Sequence, residues 1–185
     1  IITAAVQAAP DKGDVLISAG LYDLGATAHF YLEPGEKNSF WICIPVLEGK
    51  NVHIRGEGPG KTILRLKPKQ HGPGHPVAMI LARATSPFDP GYSEFSISDM
   101  TLEGNRSKQT AWLKDGAALI LVGSERECGR YERLEFRNSY GSGLYLGNNG
   151  GGSGDLEIVS ECVAVKTQLP GHFGRARASA IASSA

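Results

Sequence analysis

Short stretches in which apolar and polar residues alternate punctuate this chain, and three of them share one cadence. They are Asn51-Val52-His53-Ile54-Arg55-Gly56, Phe95-Ser96-Ile97-Ser98-Asp99-Met100-Thr101-Leu102-Glu103-Gly104-Asn105 and Arg130-Tyr131-Glu132-Arg133-Leu134-Glu135-Phe136-Arg137-Asn138. Each reads as a short strand, a one-residue corner and a second short strand. Period-two alternation puts Ile97, Met100 and Leu102 on one face, and Tyr131, Leu134 and Phe136 on the equivalent face. A unit this small cannot bury its apolar face alone, so it must stack on its neighbours, as in a solenoid. Superimposing the second and third cadences at a shift of 34 residues pairs Ile97 with Tyr131, Met100 with Leu134 and Leu102 with Phe136. The same shift sets Asp99 over Arg133 and Glu103 over Arg137. In a parallel stack these become cross-strand ion pairs that fix register and keep like charges apart.

The rest of the chain extends this pattern. Thr3 to Ala9 reads as one or two helical turns with Ile2, Val6 and Ala9 on one side, ended by Pro10. Strands follow at Val15 to Ile17, Leu21 to Leu24, Phe40 to Val46, Asn51 to Gly56, Thr62 to Leu66 and Val77 to Ala82. Residues 25 to 39 and 106 to 115 are polar excursions. Ala117 to Val122 and Gly143 to Leu146 read as equivalent strands, with Leu119 and Leu121 matching Leu144 and Leu146. That alignment points Ile120 and Tyr145 outward. After Pro170 the composition shifts to Arg, Ala and Ser, a tail or a C-terminal cap.

Composition narrows the class. The chain has 185 residues with 24 Gly and 10 Pro, yet 41% are hydrophobic, too many for a disordered chain. Nineteen basic residues balance nineteen acidic ones, so no global field draws the chain to nucleic acid or an anionic membrane, although a local patch is not excluded. No apolar run approaches the length of a transmembrane helix. With no Met start and no leader before Ile1, the chain reads as mature, trimmed or excerpted. Cys43, Cys128 and Cys162 are widely spaced and read as small buried hydrophobes, with a Cys128–Cys162 disulfide as the alternative.

Two segments carry a resemblance. Ala5-Val6-Gln7-Ala8-Ala9-Pro10-Asp11-Lys12-Gly13-Asp14-Val15-Leu16-Ile17-Ser18-Ala19-Gly20-Leu21-Tyr22 and Lys50-Asn51-Val52-His53-Ile54-Arg55-Gly56-Glu57-Gly58-Pro59-Gly60-Lys61-Thr62-Ile63-Leu64 resemble the N-terminal part of pectin-lyase-like proteins. This superfamily includes pectate lyases, polysaccharide hydrolases, pectin methylesterases and phage tailspike depolymerases. The resemblance extends over roughly residues 1–165 and rests on turns and core positions. It implies an all-β fold, a right-handed parallel β-helix with a short N-terminal capping helix. The expected organisation is one β-helix domain over residues 1–169, capped by 2–9, and the tail over 170–185. A methylesterase is disfavoured, because the Gln-Asp pair and the Asp-Phe-Ile-Phe-Gly stretch of that family are missing.

Candidate chemistry sits at strand ends. A lyase needs a cation beside the carboxylate next to the abstracted proton, and a base near it. Asp115, Glu125 and Arg126 are the catalytic candidates. Trp112 and Tyr145 are the candidates for stacking on a sugar, with Asn148 and Asn149 as polar contacts. The outward face at Ile120 and Tyr145 offers no carboxylate pair for hydrolysis. His71 and His75 share a Pro/Gly loop that cannot aim both rings at one metal. Gly58-Pro59-Gly60-Lys61-Thr62 lacks the spacing of a phosphate loop, and Asn148 to Gly154 is too irregular for a calcium-binding nonapeptide repeat. Asn105-Arg106-Ser107 fits a glycosylation acceptor, informative only in a secreted eukaryotic protein. No metal or cofactor is required by these residues; calcium enters only through the resemblance.

Two functions follow as expectations. The first is a carbohydrate-active β-helix at an extracellular site, cell surface or virion. It would bind and cleave a polysaccharide, uronate-containing polymers included, by lyase or hydrolase chemistry. The second is a non-catalytic structural or adhesive β-helix segment. The expected partner is a polysaccharide, with no nucleic acid and no membrane, and oligomeric state is left open.

Overall fold

A computed structural model describes residues 1–31, 39–46, 50–70, 77–82, 93–110, 118–122, 127–146 and 158–165. Among these residues a short helix, α1 (Ile2–Ala8), precedes thirteen strands that form two sheets, and all but one of the strand pairings described are parallel.

The first sheet is built from stacked pairs of short strands. β1 (Gly13–Leu16) and β2 (Gly20–Leu24) make the first level, and β5 (Val52–Arg55) and β6 (Thr62–Leu66) the second. At the next two levels the pair merges into one bent strand, β8 (Ser93–Glu103) and then β10 (Glu127–Arg137). β12 (Ile158–Ser160) and β13 (Val163–Val165) close the series against β10. The second sheet has the order β11 (Ser142–Leu146), β9 (Ala118–Val122), β7 (Val77–Ala82), β4 (Ser39–Val46) and β3 (Ala28–Tyr31). The chain visits the two sheets in alternation.

Each bend has a cause in the backbone. Asp99, Arg133 and Glu161 have φ of 59°, 49° and 53°, and these left-handed residues form the one-residue corners. At the second level Gly56 begins the corner: its N–H donates to the Ser98 carbonyl at 3.0 Å, and the Gly58 N–H donates to the Asp99 carbonyl at 2.8 Å. An αL residue costs a non-glycine side chain of order 1 kcal/mol, so the corners persist because the paired strands on both sides hold them.

The register of the cadences agrees with the alternation. Ile97 lies opposite Tyr131, Met100 opposite Leu134 and Leu102 opposite Phe136, while Ile54 and Leu64 continue the same columns. All eight are buried, with Val52, Phe95, Ile44 and Met79 in the same core. At about 2 kcal/mol for each large apolar side chain, these columns are the main source of stability. Cys43 is buried there, and desolvation pushes its thiol up to about 12. Cys162 is a free thiol whose Sγ lies 3.3 Å from the Tyr131 carbonyl, so the Cys128–Cys162 disulfide is not formed.

α1 is fastened to the second sheet. Thr3 Oγ1 donates to the Cys43 carbonyl at 3.0 Å and Gln7 Nε2 to the Pro45 carbonyl at 2.8 Å, both on β4. Lys50 Nζ donates to the Gln7 and Ala9 carbonyls, satisfying acceptors that the helix C-terminus leaves open. Val6 faces the core.

Three expectations need correction. Part of the 25–39 excursion is a strand: β3 pairs antiparallel with β4, Ala28 opposite Ile42. Leu144 lies opposite Ile120 rather than Leu119, a slip of one residue, and Ile120 is fully buried instead of outward-facing. The neighbouring strand β7 is buried at every position, so both of its faces are covered. Finally, no Glu103–Arg137 ion pair forms. Arg137 Nε turns to Glu135 on its own strand, 2.6 Å away, and the Glu103 carboxylate is engaged by Asn105 and Asn138.

Candidate functional site

Among the residues assigned chemistry from the sequence, Asp115, Glu125, Arg126, Trp112, Asn148 and Asn149 lie outside the described residues. Tyr145 is described as backbone of β11, opposite Leu121. β9 separates the segment holding Asp115 from the one holding Glu125 and Arg126. Its five residues span roughly 13 Å at about 3.3 Å per step.

A different group of side chains converges where β8 and β10 end. Glu103 is the last residue of β8, and Asn105 and Asn138 follow the two strands in the αL conformation, with φ of 51° and 47°. Asn tolerates that region because its short amide can bond locally. The Gly104 N–H donates to the Arg137 carbonyl and the Arg106 N–H to the Asn138 carbonyl, so the two exits stay stacked. A single 3-10 turn over Arg106–Lys108 follows the upper exit.

These turns and Tyr140 enclose a cleft of about 600 Å³ lined by Glu103, Asn105, Arg106, Ser107, Asn138 and Tyr140. The Arg106 guanidinium carbon sits 4.8 Å from the centre of the Tyr140 ring, a cation–π contact contributing about 0.5–1 kcal/mol at a surface. Glu103 accepts from the Asn105 N–H at 2.9 Å and from Asn138 Nδ2 at 3.0 Å. Asn105 Nδ2 donates to the Leu66 carbonyl at 2.9 Å, tying the cleft floor to β6. Amide, hydroxyl and carboxylate groups beside an aromatic ring can hydrogen-bond and stack a hydroxylated ring. With one carboxylate, the cleft does not hold an acid–base pair of its own.

A second polar row crosses the outer face of the first sheet. His53 Nδ1 is 3.1 Å from Asp14 Oδ1, and its Nε2 is 3.0 Å from Ser98 Oγ. Ser98 Oγ donates to Asp99 Oδ2 at 2.8 Å. Arg133 grips Asp99 with Nε at 2.5 Å and Nη2 at 2.9 Å, as the register of the cadences leads one to expect. Asp14, His53 and Ser98 have the spacing of a nucleophilic triad, but the chemistry is wrong for one. Ser98 is 2% exposed, and the Asp99 carboxylate that accepts its hydrogen bond would repel a developing oxyanion. The row is a ladder that locks four strands together.

Arg133 beside Asp99 holds that carboxyl below its usual value of 3.8, with the Ser98 hydroxyl adding to the effect. A lowered folded pKa stabilises the protein above the unfolded value, and that contribution disappears as pH falls through the folded one. The melting-temperature gap between wild type and Asp99→Asn is therefore expected to be full at neutral pH. It should shrink below about pH 4; a gap independent of pH would show that the ion pair adds nothing.

Among the described residues, no three His, Cys, Asp or Glu side chains gather where they could hold a metal ion, and no helix is long and apolar enough to cross a membrane. No protein-family model matches the chain, and neither a curated protein nor a solved structure does.

Proposed function

We propose that this chain is a right-handed parallel β-helix of the pectin-lyase-like kind that binds an extracellular polysaccharide through the cleft between Glu103 and Tyr140. Several features support the fold. The chain alternates between two sheets of parallel strands, and equivalent residues stack in columns one strand spacing apart. Crossovers between parallel strands are right-handed in nearly all proteins. α1 against β4 suits an end cap.

The cleft carries the functional reading. An aromatic ring set among amides, a hydroxyl and a carboxylate is what a pyranose needs from a protein, one apolar face and several directed hydrogen bonds. Cleavage, by lyase or hydrolase chemistry, is assigned to Asp115, Glu125 and Arg126, with Trp112, Tyr145, Asn148 and Asn149 extending the sugar contacts. It requires the segments at the two ends of β9 to meet over that strand.

The test is binding and product release on a panel of pectate, alginate and capsular polysaccharides. We expect binding to at least one polymer, weakened about tenfold in Tyr140→Ala through loss of the stacking face, worth about 1–1.5 kcal/mol. Any product released should vanish in Asp115→Ala and Glu125→Ala. Absence of binding across the panel, or unchanged affinity in Tyr140→Ala, rejects the cleft as a sugar site.

A further inference from the structure

We propose that Arg106 is a built-in competitor for the sugar site. In the free protein its guanidinium covers the Tyr140 ring, and a polysaccharide displaces it in order to stack there. This inference rests on the polysaccharide reading above and adds how access to that site is controlled.

The ring and its cover are held in different ways. Tyr140 follows Ser139, which is buried, and precedes Gly141, whose N–H donates to Ser139 Oγ at 3.1 Å. At the start of this turn the Asn138 N–H donates to the Val165 carbonyl at 3.0 Å, anchoring it to the last level. The ring therefore stays where the turn puts it. The Arg106 backbone is equally fixed: its N–H donates to the Asn138 carbonyl at 3.0 Å, and its carbonyl accepts from the Gln109 N–H at 3.1 Å.

The Arg106 side chain has no such anchor. The ion pairs among the described residues use His53, Arg65, Arg133 and Arg137, and none of them includes Arg106. Among the described residues, what holds the guanidinium is the Tyr140 ring, 4.8 Å from its carbon to the ring centre. A long, flexible side chain on a fixed backbone is the part that moves. The Glu103 carboxylate lines the same cleft, an anion toward which the displaced guanidinium can turn.

Competition follows from the shape and chemistry of the two occupants. A guanidinium is planar and weakly hydrated, and it seeks the electron-rich face of an aromatic ring. A pyranose uses the same face for its apolar side. Tyr140 and Arg106 are both half-buried, so the ring has little surface to spare for a second occupant. At a surface the contact is weak, and displacing it lowers affinity about two- to fivefold. A single sugar must offset that cost from one stack, whereas a polymer spreads it over the whole cleft. The contact therefore favours polymer over free monosaccharide.

The experiment measures binding by four whole-chain proteins: wild type, Arg106→Gln, Tyr140→Ala and the double variant. The probes are the pectate, alginate and capsular polysaccharides named above, with fully methyl-esterified pectate as an uncharged one. We expect Arg106→Gln to bind the esterified polymer about two- to fivefold more tightly than wild type. In the Tyr140→Ala background the same change should bring no gain, because no ring face is left to uncover. For an acidic polymer the lost charge is common to both backgrounds, so the ring's share emerges as the same two- to fivefold coupling. Nuclear magnetic resonance gives a second readout. The Arg106 Nε–H and δ-methylene signals should lie upfield in the free protein under the ring current of Tyr140. They should return to ordinary positions in Tyr140→Ala and in wild type saturated with a polymer that binds. Ordinary positions in free wild type, an equal gain in both backgrounds, or no gain for the esterified polymer overturns the competition and leaves the sugar cleft standing. Weaker binding of that polymer by Arg106→Gln makes Arg106 a sugar contact instead, which also overturns it. No binding of any probe by any of the four proteins overturns the sugar site and its competitor together.

Discussion

Replacing Gly56 with Ala is expected to be the most damaging conservative change in this protein. Gly56 is buried at the second-level corner, where β5 hands over to the turn that leads into β6. A Cβ there would run into the Asp99 carbonyl oxygen and lie 2.8 Å from Thr62 Cβ and 3.0 Å from Met100 Cβ. Two of these obstacles cannot swing aside. The Asp99 carbonyl is backbone at the next corner and accepts from the Gly58 N–H. Thr62 is itself buried, and its Oγ1 accepts from the Glu57 N–H at 3.0 Å. Relief therefore requires the two levels to part, and with them the Gly56-to-Ser98 hydrogen bond. Overpacking against backbone of this kind costs about 3 kcal/mol or more. For a chain of this length that lowers the melting temperature by roughly 6–12 °C. Thermal unfolding followed by circular dichroism checks it, and a loss under about 2 °C would mean that the corner is looser than its contacts indicate. Ala at Gly60 is the control: its φ of 76° is unfavourable for Ala but its surroundings are open, so only the backbone cost of about 1 kcal/mol applies.

The corner residues show why so much of the first sheet was legible. Strict alternation on both sides of Asp99 and Arg133 fixes which side chains point inward, and a one-residue slip would turn Ile97 and Tyr131 out to water. The register of β8 on β10, and the Asp99–Arg133 pair that follows from it, are therefore written in the sequence. The second sheet carries no such information. Ala118 to Val122 is apolar throughout, so period two assigns it no face, and matching Leu119 to Leu144 by identity rather than by alternation slips the register by one residue. β3 is hidden for a related reason. It pairs antiparallel at a sheet edge, and its mixed residues read as a polar excursion.

The sites were less legible because they depend on what stacking brings together. Asn105 and Arg106 belong to one turn and Asn138 and Tyr140 to another, and only the level-to-level register makes them neighbours. Glu103 illustrates the converse. Alternation gives its strand partner as Arg137, but the choice of ion pair is made locally. Glu135 lies two residues from Arg137 on the same strand, and the αL turn at Asn138 delivers an amide to Glu103 instead. Register constrains which backbones lie side by side. It does not decide between two acceptors that a long side chain can both reach.

Truncating Tyr131 is expected to cost at least as much, and its coupling to Gly129 makes the result diagnostic. Tyr131 is fully buried on β10, opposite Ile97 on one side and Val159 on the other, and its ring packs on Phe95 with centroids 6.1 Å apart at 59°. Its removal leaves a ring-sized void between three levels, for which a cost of about 3–5 kcal/mol is usual. The ring also fills the space where Gly129 has no side chain: a Cβ at Gly129 would lie 2.5 Å from Tyr131 Oη and 2.6 Å from Cε2. Those are atoms of a rigid, enclosed ring, so Gly129→Ala should itself cost about 2 kcal/mol through overpacking. In Tyr131→Ala the clash disappears and the added methyl occupies part of the void. The double variant should then be no less stable than Tyr131→Ala alone, a coupling of roughly 2 kcal/mol between the two sites. Denaturant unfolding of the four proteins in the cycle measures it directly. Additive losses would mean that the ring does not lie over Gly129, and the placement of Tyr131 between Ile97 and Val159 would have to be abandoned with it.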